Sequence, residues 1–182
     1  AAFFDRHQAR ALDPAGRGRA LRLLEMQHHV MLMYTSCGWF FSDISGIETV
    51  QNLRYAARAI DLAAPFAPLD LEAVLLEDLA RAPSNLDGHR NGRQLWEREV
   101  RPSRGAPEDA VARLLVEGAL GHGVTPQVRY RWSLVPDPIL QDGDLTLAGV
   151  RAESLVTGET LHFAGACRWN GPFDVLAGVA PW

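Results

Sequence analysis

Apolar positions recur at steps of three and four through the first two thirds of the chain, and alternation takes over in the last third. Over residues 17–34, Leu21, Leu24, His28, Met31 and Leu32 fall on one broad face, which predicts a helix. Its last turn, 30–33, is wholly apolar, so that end is expected to be buried. Ser45 and Glu48 fit a capping box and predict the start of a second helix. Its stripe is Ile47, Val50, Leu53, Ala57, Ile60 and Ala64, and Pro65 and Pro68 end it. Arg54 and Arg58 lie on a neighbouring face and read as solvated charges. A third helix, about 69–81, presents Leu71, Val74, Leu75 and Leu79. LDGHRNG then reads as a loop by composition. A short helix follows at about 94–100, and Pro107 opens another, with Glu108 and Asp109 beside its positive end. The Gly-His-Gly of 121–123 stops that helix.

From Gln127 the pattern is that of strands. VRYRWSLV alternates, LTLAGVRAESLV and ETLHFAGACRW are joined at Thr157-Gly158 by a tight hairpin, and FDVLAGV adds one more strand. The expected fold class is therefore α+β. A helical bundle portion at 1–123 precedes a small, incomplete antiparallel β portion at 124–182.

MYTSCGWFFSDISGIETVQ interrupts two helical patterns with one Gly, one Trp and two Phe. Two readings stay open. Trp39, Phe40 and Phe41 can plug the end of a bundle, because aromatic rings bury large areas. Alternatively Trp39 is a platform on which the apolar C–H face of a sugar stacks, while neighbouring Ser36, Ser42 or Asp43 bind its hydroxyl rim. Three adjacent rings cannot all point one way, so at least one Phe is expected to turn into the core.

Composition narrows the partners. The 182 residues are 47% hydrophobic and 22% charged, the profile of a core-forming chain. A net charge of -4 without a basic stripe argues against nucleic acid, and no apolar run is long enough to span a bilayer. Two distant cysteines, Cys37 and Cys167, make neither a disulfide framework nor a zinc site, which points to a reducing, cytoplasmic setting. The chain starts without Met and ends on the apolar DVLAGVAPW. A fragment of a longer protein is the expectation, with a processed complete chain as the alternative.

Candidate chemistry is sparse. Adjacent His28 and His29 diverge by about 100° on a helix, so they cannot share an ion, and no metal or other cofactor is expected. His28 reads as a core or interface histidine. Cys37 lacks an assignable triad and reads as a small buried thiol. Glycoside hydrolysis needs two carboxyl groups opposed across the scissile bond. Glu25, Asp43 and Glu48 offer no such pair, so no catalytic residue is nominated.

QHHVMLMYTSCGWFFSDISGIETVQNLRYAARAIDLA resembles a stretch shared by bacterial relatives of glycoside hydrolase family 57. It looks like domain of unknown function 3536, which follows their hydrolase-like domain. GRQLWEREVRPSR and TGETLHFAG with PFDVLAGV are similar to further pieces of that region. The resemblance implies an accessory C-terminal region that packs on an upstream catalytic barrel and lines its site for an α-glucan or oligosaccharide. It places Trp39 against sugar, with Ser36, Cys37 and Asp43 as weaker carry-overs. The family's catalytic Glu and Asp have no counterpart here, so this chain alone is expected to be inactive. A non-catalytic interaction module without sugar contact is the other reading.

Overall fold

The computed structural model describes residues 2–86, 88, 91–129, 131–171 and 174–182. The fold is α+β, with helices in the N-terminal part and strands in the C-terminal part. Two compact units divide it, Ala1–Arg104 and Gly105–Trp182. The change of pattern near residue 124 marks where strands begin. The units part earlier, because the helix opened by Pro107 packs on the sheet.

The first unit holds α1 (Ala2–His7), α2 (Pro14–Leu32), α3 (Cys37–Phe40), α4 (Ile47–Ala63), α5 (Leu71–Ala80) and α6 (Gly92–Leu95). A wider π-type turn, Trp96–Val100, continues α6. Asp87, His89 and Arg90 of the expected loop lie outside the described residues. Asp13 caps α2 by accepting from the Gly16 N–H, and Pro14 supplies the preset first turn.

The face that α2 buries differs from the expected one. His29, not His28, is buried, and its Nε2 lies 3.1 Å from Glu25 Oε1. The His29 ring lies 5.9 Å from that of Tyr55 on α4. Because this contact is polar, the apolar stripe turns outward: Leu24, His28 and Met31 are exposed, and the last turn is not buried.

On α4 the middle of the expected stripe packs, while its ends, Ile47 and Ala64, are exposed. Val50 and Ala57 join Leu76, Leu95, Trp96 and Val100 in the core, with Leu53 and Ile60 against it. The capping box does not form. Gly46 is the N-cap, and the Ser45 hydroxyl donates to Asp43 instead. On α5 the buried residue is Leu76, while Val74 points out. Arg54 and Arg58 are half-buried rather than solvated.

The second unit sets α7 (Pro107–Glu117) on an antiparallel sheet in the order β1 (Gln127–Arg129), β2 (Trp132–Asp142), β3 (Leu145–Ser154), β4 (Thr160–Gly171), β5 (Asp174–Pro181). Gly121 and Gly123, both at positive φ, end the helical stretch that follows α7. Ala110, Val111, Leu114 and Leu115 of α7 pack on Trp132, Leu134, Val150, Phe163 and Cys167. A turn divides VRYRWSLV into β1 and β2, with Tyr130 outside the described residues. The hairpin expected at Thr157-Gly158 exists, but its loop runs over 155–159, with Gly158 at φ 69°.

Candidate functional site

The aromatic interruption is a short turn of helix clamped from α4 by polar side chains. Asn52 Nδ2 donates to the Thr35 carbonyl at 2.9 Å, and Thr35 Oγ1 donates to Asn52 Oδ1 at 2.7 Å. Thr49 Oγ1 donates to the Gly38 carbonyl at 2.6 Å. Gly38 is required there, because a Cβ would stand 1.9 Å from Asn52 Nδ2. The backbone of this turn is thus held by α4 at Thr35 and Gly38, while its rings are not.

Trp39, Phe40 and Phe41 are 71%, 76% and 56% exposed. The expectation that one Phe turns inward fails. Phe40 and Phe41 pack edge to face, with centroids 5.6 Å apart, and meet each other rather than the core. None of the three rings joins the core cluster around Trp96. Tyr34, Met31 and Ile47 are exposed as well. Six large apolar residues within 31–47 are thus exposed, which is more than the usual scatter of single ones.

Ser36 is the exposed N-cap of α3, and its hydroxyl makes no capping bond. Cys37 is exposed at the first turn of α3, not buried; the buried thiol is Cys167. Asp43 is differently placed. Its Oδ1 accepts from the Ser45 N–H at 2.8 Å, from Ser45 Oγ at 2.6 Å and from Ser84 Oγ at 2.9 Å. Its Oδ2 accepts from the Asn85 N–H. The Ser45 hydroxyl first, then the Asn85 and Ser45 N–H groups, hold its carboxyl well below the usual carboxylate range. Both oxygens are therefore occupied by protein donors. The Ser84–Asn85 contribution is one that sequence reasoning missed.

Other concavities carry less chemistry. In the first unit, Asp61, Asp70, Glu72 and Arg104 line a cleft of about 300 Å³. Arg104 pairs with both Asp61 and Glu72, Arg101 reaches Glu72 Oε1 at 2.7 Å, and the Trp96 indole donates to the same oxygen at 3.0 Å. Asp70 caps α5 through the Ala73 N–H. These charges serve one another. In the second unit, a concavity of about 670 Å³ lies on the sheet face away from α7, with Leu140, Leu147, Ala164, Ala166, Gly178 and Trp182 in its lining. That lining is almost wholly apolar and brings no polar groups together. Among the described residues, no group of three or more His, Cys, Asp or Glu is placed to hold a metal ion, and no helix is long and apolar enough to cross a membrane.

The family described as domain of unknown function (DUF3536) matches residues 1–182. The chain belongs to this family. No curated protein and no solved structure matches it. The DUF3536 match spans both the clamped aromatic turn and the sheet, so the two units belong to one family region.

Proposed function

We propose that this DUF3536 chain is the accessory C-terminal region of a family-57-like carbohydrate-active protein. It packs on that protein's catalytic barrel and lines the glycan site with Trp39. One observation carries the reading: three exposed aromatic rings stand on a turn whose backbone is fixed by Asn52, Thr49 and Asp43. An exposed ring on a fixed backbone has only its own side-chain freedom to lose on binding, which suits it to stacking on a pyranose face. The neighbouring hydroxyl of Ser36 and thiol of Cys37 are exposed beside it. Chemistry belongs to the barrel, since the carboxylates described here are engaged by protein partners: Glu25 with His29, Asp43 with Ser45, Ser84 and Asn85, Asp61 and Glu72 with Arg104, and Asp70 with the Ala73 N–H.

A second reading keeps the docking and drops the sugar. Met31, Phe40, Phe41 and Ile47 expose more apolar surface than one stacked sugar needs, and the outward stripe of α2 extends it. The two readings separate on Trp39→Ala in the barrel-bearing protein. Weakened binding of maltoheptaose with unchanged thermal stability supports glycan contact. Unchanged glycan affinity with weakened cohesion between this region and the barrel supports docking alone.

A further inference from the structure

We infer that Asp43 is a positioning residue, a latch that fastens the aromatic turn to the Ser84–Asn85 segment and so sets where Trp39 stands. Its functional half rests on the glycan reading above; its structural half rests on geometry alone.

After Phe41 the chain leaves α3, and it does not become helical again until Ile47. Within that gap Asp43 makes two kinds of bond. Locally it closes a turn with Ser45, through both the N–H and the hydroxyl. At long range it accepts from Ser84 Oγ and the Asn85 N–H, more than forty residues away in the chain. Asn85 Nδ2 adds a bond to the Ser42 carbonyl at 3.1 Å, and the Leu86 N–H reaches Ser84 Oγ at 3.2 Å. The 42–45 segment is thereby tied to Ser84 and Asn85, whereas α4 holds the chain earlier, at Thr35 and Gly38.

The donor set explains why a carboxylate stands here. Oδ1 accepts from the Ser45 N–H, Ser45 Oγ and Ser84 Oγ, and Oδ2 accepts from the Asn85 N–H and, at 3.2 Å, from Ser84 Oγ, so both oxygens have their lone-pair sites taken. A sugar hydroxyl would have to displace one of these donors. Asparagine cannot substitute, because its NH₂ would face the Asn85 N–H, donor against donor. A residue in this state organises its neighbours rather than contacting a ligand. The placing of Trp39 then depends on a segment that never approaches the ring in sequence.

Two readouts on two variants test this. In the barrel-bearing protein, Asp43→Asn and Ser84→Ala are compared with the unaltered protein for amide hydrogen exchange over 36–46 and for maltoheptaose affinity. The latch predicts that exchange over 36–46 speeds by about tenfold or more in Asp43→Asn and by less in Ser84→Ala. Exchange within 52–62 stays as it was, and maltoheptaose affinity falls in the same order. Lost affinity with unchanged exchange would make Asp43 a direct ligand group and overturn the inference. Unchanged exchange in both variants would overturn it too. If the unaltered protein binds no maltoheptaose, the glycan reading fails, and exchange alone decides the latch.

Discussion

The side-chain amide of Asn52 fills the space that a side chain on Gly38 would need. A Cβ there would lie 1.9 Å from Nδ2 and 2.4 Å from Cγ. Asn52 is also bonded in both directions to Thr35. Gly38→Ala must therefore expel Asn52 and break that reciprocal pair. The expected cost is about 1–3 kcal/mol, the range for forced overpacking. Urea unfolding of the variant measures it, and an unchanged midpoint would show that Asn52 has room to swing aside.

Much of the fold was legible because its cues are local and periodic. The stripe of α4 and the alternation in β3 and β4 each repeat often enough to fix a face. The face of α2 was not legible. Its inward contact is made by Glu25 and His29, so the apolar residues that define the period point out. Ser45–Glu48 looked like a cap, but Asp43, two residues before Ser45, captures its hydroxyl first. That Asx-type turn was readable in SDIS. Its tie to Ser84 was not, since no local pattern encodes a contact so far apart in the chain. Exposure of Trp39 was one of the two open readings, but that of both Phe40 and Phe41 was hidden, because large apolar residues ordinarily signal core.

Glu72 should give the first unit a distinct acid sensitivity. Partial burial works against its charge, but Arg101, Arg104 and the Trp96 indole outweigh that and pull its pKa to about 2. Its carboxyl is more acidic folded than unfolded. The stabilisation is therefore complete above the ordinary value of 4.5 and is lost as pH falls toward about 2. With solvent screening at the half-exposed Arg101, its size is about 1–3 kcal/mol. Urea unfolding at pH 7, 4 and 2.5 should show that decline. Glu72→Gln should flatten it and lower stability at pH 7, leaving Arg101 with Glu97 and Arg104 with Asp61. An equal acid slope in the variant would assign the effect to other carboxylates.

The second unit is sensitive at Gly165, where β4 passes beneath α7. A Cβ there would lie 2.3 Å from Leu115 Cδ1, and Leu115 is fully buried. Gly165→Ala should cost about 1–3 kcal/mol by overpacking. Leu115→Ala should cost about 2–5 kcal/mol by leaving a cavity. The double variant should lose less than the sum, since the alanine Cβ enters the space that Leu115 vacates. Additive losses in a double-mutant cycle would mean that the sheet, not Leu115, absorbs the added methyl.

Trp39→Ala is the decisive substitution for function, because stability and binding should respond differently. The ring is 71% exposed and makes no core contact that would collapse on its removal. Thermal stability should therefore change little, in contrast to the roughly 3–5 kcal/mol expected for truncating a buried Trp. If the ring stacks on sugar in the barrel-bearing protein, maltoheptaose affinity should fall by about 0.5–3 kcal/mol, between an ordinary aromatic contact and a strong hot spot. Phe40→Ala supplies the internal comparison. Its ring is equally exposed but leans on Phe41, so a sugar platform at Trp39 predicts a smaller loss there. Equal losses at both positions, together with weaker cohesion between this region and the barrel, would mean that the whole cluster serves docking. A large stability loss at Trp39 in the longer protein would mean that a neighbouring domain buries the ring, and no glycan could then reach it.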